Sequence, residues 1–172
     1  MSRSQDDLYT QAMEAYSAAL ERLVRAYEFD TDKRRDLLQE IHLALWRSFE
    51  KFEGRSSLRT WVYRVAHNTA ASYVIRQRRA NSQVLVALED IDSAPDPEDR
   101  GRDTTDRMAL ERLLELIHRL KPPDRQVMLL YLEDLDAAAI GEIMGISAGN
   151  VRVQIHRIKT ILARRFHAGG QS

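Results

Sequence analysis

The sequence predicts an all-α protein made of two small helical domains joined by an acidic, flexible linker. Three observations carry this expectation. Apolar residues recur at helical spacing through most of the chain, and no segment before residue 80 alternates as an exposed strand would. Charge is partitioned, although the 172-residue chain is neutral overall: residues 54–80 hold six Arg and no acid, whereas residues 81–107 hold three Arg against eight acids. Pro95, Pro97 and Gly101 fall inside that acidic stretch and interrupt the helical pattern. The expected division is therefore a domain over residues 1–91, a linker over 92–107 and a second domain over 108–172.

The elements follow in order. Leu8 to Phe29 reads as a helix with Leu8, Ala12, Tyr16, Leu20, Leu23 and Tyr27 on one face. Asp30-Thr31-Asp32 ends it and offers a cap for the next helix, Lys33 to Phe52, with Leu37, Leu38, Ile41, Leu45, Phe49 and Phe52 inward and Trp46 beside them. The loop Glu53–Ser57 supplies another serine cap. A third helix from Leu58 to about Arg79 turns Leu58, Val62, Val65, Thr69 and Tyr73 inward. Val84–Leu88 is a short apolar patch ahead of the linker. In the second domain, Met108–Leu120 carries Leu110, Leu113, Leu114 and Ile117, and Lys121-Pro122-Pro123 stops it. Pro123 suits the first turn of a short buried helix over Gln126–Glu133.

Composition narrows the function. Hydrophobic residues are 44% of the chain, enough for a packed core. There is no cysteine, so disulfides, thiolate-bound zinc and a thiol nucleophile are excluded. The longest apolar run, Val127–Leu132, has six residues, too short to span a bilayer, and the N-terminus has no apolar signal core. The expectation is a soluble intracellular protein without membrane insertion. Glu115-Leu-Ile-His118 has the spacing of a di-metal bundle, but such sites need a second copy and further Glu, and the histidines show no ligand spacing. No Gly-rich phosphate loop or catalytic constellation is present. No metal, cofactor or enzymatic activity is expected.

The most informative stretch is Leu135–Arg165. A short helical pattern ends at Gly145, and Ser147 can cap a second helix on which Val151, Ile155, Ile158 and Leu162 form one buried stripe. From Ile146 to His167 there are five Arg or Lys and no acid. Two helices joined by a tight turn, the second basic outside, form the pattern of a DNA-binding helix-turn-helix. Asn150, Arg152, Val153 and His156 are placed to reach base edges: Asn suits adenine, Arg suits guanine and an exposed Val can touch a thymine methyl. Arg157, Lys159, Arg164 and Arg165 are placed near phosphates.

These residues, with others upstream, resemble bacterial extracytoplasmic-function sigma factors, the smallest class of the sigma-70 family. Asp36-Leu-Leu-Gln-Glu-Ile-His-Leu-Ala-Leu-Trp46 is similar to the region 2 helix that grips the polymerase clamp. Phe52-Glu-Gly-Arg-Ser-Ser-Leu-Arg-Thr-Trp-Val-Tyr-Arg-Val-Ala-His-Asn68 is similar to the segment that reads the −10 element. Leu120-Lys-Pro-Pro-Asp-Arg-Gln-Val127 and the helix-turn-helix after it are similar to region 4. The resemblance implies a sigma region 2-like domain, a region 4-like domain, and a subunit that directs promoter-specific transcription initiation while catalysing nothing.

Site residues follow from the resemblance. Asn150, Arg152, Val153, His156, Arg157 and Lys159 would read the −35 duplex. Arg55, Ser56, Arg59, Trp61, Tyr63, Arg64, Asn68, Arg76, Arg78 and Arg79 would hold the melted −10 strand, with cations on the backbone and aromatic surface for bases. An aromatic at the spacing of Trp61 is more often a core residue. Asp36, Gln39, Glu40 and Leu43 would dock on polymerase. The chain departs from the family at Arg34-Arg35, where many relatives carry an acid, at His67, where Arg is usual, and at Ser72, where Asp is usual. The arginine pair is expected to weaken docking on a basic clamp. The implied partners are core RNA polymerase, promoter DNA and an anti-sigma factor, in the bacterial cytoplasm. Two other readings compete: a sigma-like interaction module that sequesters a regulator without driving promoters, and an operator-binding regulator that works without polymerase.

Overall fold

The computed structural model of the chain describes residues 4–80 and 106–168, so the expected linker and the Val84–Leu88 patch lie outside the described residues. The described residues form seven α-helices. Helix α1 spans Gln5–Tyr27 and opens with a reciprocal cap: Ser4 Oγ accepts from the Asp7 N–H at 3.1 Å, and Asp7 Oδ2 accepts from the Ser4 N–H at 3.2 Å. Helix α2 spans Thr31–Ser48 and runs into a 3-10 turn over Phe49–Lys51. Asp30 Oδ1 caps α2 by accepting from the N–H groups of Asp32 and Lys33, both at 3.0 Å. Helix α3 spans Leu58–Ala80, and Ser57 Oγ accepts from the Thr60 N–H at 3.0 Å. These three pack around Leu20, Leu23, Leu37, Ile41, Leu45, Phe49, Val62, Ala66 and Ala70, all buried.

Helix α4 covers Asp106–His118, α5 Pro122–Leu132, α6 Ala137–Met144 and α7 Ala148–Ala168. Pro122 and Pro123 occupy the first turn of α5, where a missing N–H costs nothing. Asp136 caps α6 through the Ala139 N–H at 2.8 Å, and Gly145 ends it at φ 72°, which glycine adopts without strain. Ser147 Oγ accepts from the Asn150 N–H at 3.1 Å and starts α7.

The turn between α6 and α7 is set by Gly141. A Cβ there would lie 2.5 Å from the Ile146 carbonyl oxygen, a backbone atom that cannot step aside alone. Gly→Ala inside a helix ordinarily stabilises by about 0.5–1 kcal/mol. Here Gly141→Ala is expected to reverse that sign and destabilise by about 1–3 kcal/mol, as overpacking does. A drop in thermal midpoint checks this, and a rise would contradict it.

Two expected core faces differ in detail. Leu110 is 56% exposed, Leu113 and Leu114 are half-buried and Ile117 is buried as expected, while Leu116 and, just past the end of α4, Leu120 add core contacts outside the expected set. On α3, Val65 and Thr69 are half-buried, while Tyr63, His67 and Tyr73 are buried. The cause is tertiary. Helix α3 packs against α1 and α2 on one side and against α5 and α6 on another, while α1 also meets α4. The second domain is thus docked on the first.

Candidate nucleic-acid interface

Helix α7 presents two faces. Val151, Ile158, Ile161 and Leu162 are buried, and half-buried Ile155 packs beside them. Asn150, Arg152, Val153 and His156 all point outward, and Val153 is 68% exposed. An apolar side chain that open on a capped, acid-free helix is what contact with a thymine methyl requires. Two of the four phosphate candidates are braced from α5. Lys159 Nζ donates to the Tyr131 hydroxyl at 3.2 Å and sits over that ring at 5.1 Å, and Arg157 pairs with Asp124 at 3.6 Å. The structure therefore brings all six −35 candidates to one outer surface.

The −10 candidates divide. Arg55, Asn68 and Arg79 are exposed, Ser56 and Arg78 are half-buried, and burial lowers the Arg78 pKa. Arg55 pairs with Glu53 at 2.6 Å, and Arg76 pairs with Glu40 of the polymerase-docking set at 2.6 Å. Trp61 is half-buried, donates through Nε1 to Ser48 Oγ at 2.9 Å and meets the Phe52 ring edge-on at 5.3 Å, so it ties the loop to α2. Arg59, Tyr63 and Arg64 face the second domain. Arg59 donates to the Glu133 carbonyl at 3.0 Å, Arg64 donates to the Glu142 carbonyl at 2.7 Å, and the buried Tyr63 hydroxyl donates to Glu133 Oε2 at 3.4 Å.

Glu133, which nothing in its sequence context marks, is the centre of that seam. Its carboxylate also takes Arg22 in a two-pronged bond, Nε at 2.7 Å and Nη2 at 2.8 Å. This bond raises the Arg22 pKa, while burial and then the Glu133 charge push the Tyr63 phenol up. Further along, Gln126 Nε2 donates to the His67 carbonyl at 2.9 Å. Arg125 is fully buried over the Tyr27 ring at 5.0 Å and donates to the carbonyls of His118 and Leu120. His118 stacks on Phe29 at 4.3 Å. Burial depresses His67 to about 3, and burial followed by the Arg125 charge depresses His118 to about 4, so both are neutral at pH 7. A polar run at the start of the otherwise apolar α5, Asp124-Arg125-Gln126, was the available signal for this contact.

On the outer face of α2, Asp36 and Gln39 are exposed, Leu43 is 48% exposed and Glu40 is held by Arg76. Trp46 is 41% exposed beside Leu43, with Nε1 donating to Asp6 at 2.9 Å. Arg34 is turned away from this surface: it donates to the carbonyls of Glu28 and Phe29, both at 2.7 Å, and so satisfies the end of α1. Arg35 is exposed and lies 3.7 Å from Asp32. Among the described residues no group of His, Asp and Glu could hold a metal, and no helix is long and apolar enough to cross a membrane.

Both halves of the chain match known proteins. The family model for sigma-70 region 2 matches residues 12–80, and that for sigma-70 region 4 matches residues 110–162. The chain is 33% identical over 138 residues to the ECF RNA polymerase sigma-E factor of Haemophilus influenzae, covering 76% of this chain and 72% of that protein. It is 31% identical over 135 residues to the protein of the same name from Escherichia coli, covering 72% and 69%. In fold it is similar to the sigma factor RpoE of Bartonella quintana, solved with the anti-sigma factor NepR: TM-score 0.67, 19% identity, 92% of this chain and 96% of that one. It is also similar to CnrH, solved with the cytosolic domain of CnrY: TM-score 0.66, 19% identity, 93% and 88%.

Proposed function

Because the chain belongs to the sigma-70 family, in its extracytoplasmic-function branch, we propose that it directs core RNA polymerase to promoters as a non-catalytic subunit acting in the cytoplasm. The observation that carries the reading is the outer face of α7. There Asn150, Arg152, Val153 and His156 stand exposed on a helix set by the Ser147 cap and the glycine-tight turn.

In this reading residues 108–172 read the −35 duplex, with α7 in the major groove and Arg157 and Lys159 near phosphates. Residues 1–91 hold polymerase through Asp36, Gln39, Glu40 and Leu43. The −10 strand takes Arg55, Ser56, Arg59, Arg64, Asn68, Arg76, Arg78 and Arg79. Tyr63 joins them when the second domain moves aside, and Trp61 acts by fixing the loop. Arg34 serves the end of α1, so the expected penalty at the basic clamp rests on Arg35. A solved relative in fold is bound by an anti-sigma factor, and a protein of that class is the regulator we propose for this chain.

Arg152→Ala separates the two activities. Loss of a bidentate base contact is worth about 1–3 kcal/mol. Duplex promoter binding by the holoenzyme should fall by that amount, while core polymerase binding stays unchanged. Equal loss in both would contradict the assignment.

A further inference from the structure

Helix α7 is held from α5 at two points, and the two are unlike. Arg157 meets the Asp124 carboxylate in the first turn of α5, at 3.6 Å. Lys159 meets Tyr131 in the last turn, with Nζ donating to the hydroxyl at 3.2 Å and lying 5.1 Å from the ring centre. At 3.6 residues per turn, side chains two residues apart leave a helix about 200° apart. Arg152, Val153 and His156 lie on the outer arc between the two cations, all exposed. A helix laid in the major groove with that arc against the bases turns one cation towards each phosphate backbone.

The two flanks differ in what they offer. The Asp124 carboxylate offsets the Arg157 charge, whereas the partner of Lys159 is a phenol, which offsets none. Two of the three ammonium N–H groups remain for a ligand. The Tyr131 hydroxyl accepts from Lys159 and keeps its own proton to donate, which no group among the described residues takes. Tyr131 is 36% exposed and Lys159 is exposed, so both donors open on solvent. A cation and an uncharged donor side by side match a phosphodiester, which offers two unesterified oxygens and one negative charge.

We propose that Tyr131 and Lys159 together seat one phosphate of the −35 duplex, with the Tyr131 hydroxyl a direct contact. This rests on the sigma-factor reading above and deepens it. The Lys159 flank grips one strand with a charge and a neutral donor, while the Arg157 flank brings a guanidinium already paired with a carboxylate. A Tyr131 that only packed would act through its ring, which phenylalanine keeps.

Tyr131→Phe and Lys159→Gln test the seat in the holoenzyme. The probe is a promoter duplex taken from the bacterial genomic fragments that the native holoenzyme transcribes, remade with one neutral methylphosphonate at each −35 phosphate in turn. At one phosphate the native holoenzyme should lose about tenfold in affinity through these two donors. Both variants should lose less at that same phosphate and as much as the native chain at every other. On the unmodified duplex Tyr131→Phe should bind about three- to tenfold more weakly, with an unchanged slope of log affinity against log salt. Lys159→Gln should make that slope shallower by about 0.9. Native affinity in Tyr131→Phe, or native losses at every phosphate, overturns the seat. A slope in Tyr131→Phe as shallow as in Lys159→Gln also overturns it, because the phenol would then act only by holding the ammonium. A native holoenzyme that selects no promoter fragment overturns the sigma-factor reading instead.

Discussion

Arg125→Ala is expected to destabilise the chain by about 2–5 kcal/mol, well beyond the roughly 0.5 kcal/mol typical of surface changes. The guanidinium is fully buried over Tyr27, and its Nη2 satisfies the last carbonyls of α4, at His118 and Leu120. Its Nε and Nη1 have no partner. Burial lowers its pKa to about 10, so it stays charged at neutral pH. Alanine strands two acceptors and leaves a cavity. Arg125→Met also strands the acceptors, but it fills most of the volume and removes a desolvated charge, so it should cost less. Urea unfolding of the two variants checks the order. Alanine within the surface range, or methionine costing more than alanine, would contradict this account of the seam.

The second large effect is a loss of stability in mild acid. His67 and His118 are held near 3 and 4, below the unfolded value of about 6.5. A base depressed in the folded state contributes stability that is present above the unfolded pKa and is lost as pH falls towards the folded one. The window therefore opens below about pH 6.5 and extends to about pH 4 for His118 and about pH 3 for His67. At pH 5 each imidazole should cost about 2 kcal/mol relative to neutral pH. The groups around His118 are Phe29, the Ala26 carbonyl, Arg125, Arg78 and Arg119, so a proton there joins a cationic cluster. His67 meets Tyr27, Tyr63 and, through its carbonyl, Gln126. His118→Phe keeps the ring and loses the titration. Its stability should fall by about 2 kcal/mol less than the native chain's between pH 7.5 and pH 5. Equal falls would contradict the assignment.

What was legible in the sequence was local. Asp30, Ser57 and Ser147 cap where a short polar side chain precedes an apolar-periodic run, and Gly145 ends α6 where a left-handed residue is needed. The α7 stripe was readable because its buried face packs against helices within the same domain, at sequence separations short enough to leave a clean period. The second buried face of α3 was not readable. What covers it lies some sixty residues later, and Tyr63 and His67 carry polar atoms that suit a solvent-facing surface equally well. Leu110 failed in the opposite direction, since periodicity marks which residues could be inside and not which ones find a partner. In the sequence Arg34 reads as charge on a docking surface, yet its guanidinium satisfies backbone carbonyls at the end of α1. Long side chains with many donors are the ones whose role the pattern alone does not reveal.

In the function proposed for it, this chain gives polymerase its promoter choice. The direct measurement is transcription of sheared bacterial genomic DNA by core RNA polymerase with and without the chain, mapping the RNA 5′ ends. New 5′ ends are expected that lie downstream of one shared two-part sequence and vanish when residues 108–172 are removed. The same 5′ ends with and without the chain, although it remains bound to polymerase, would contradict it.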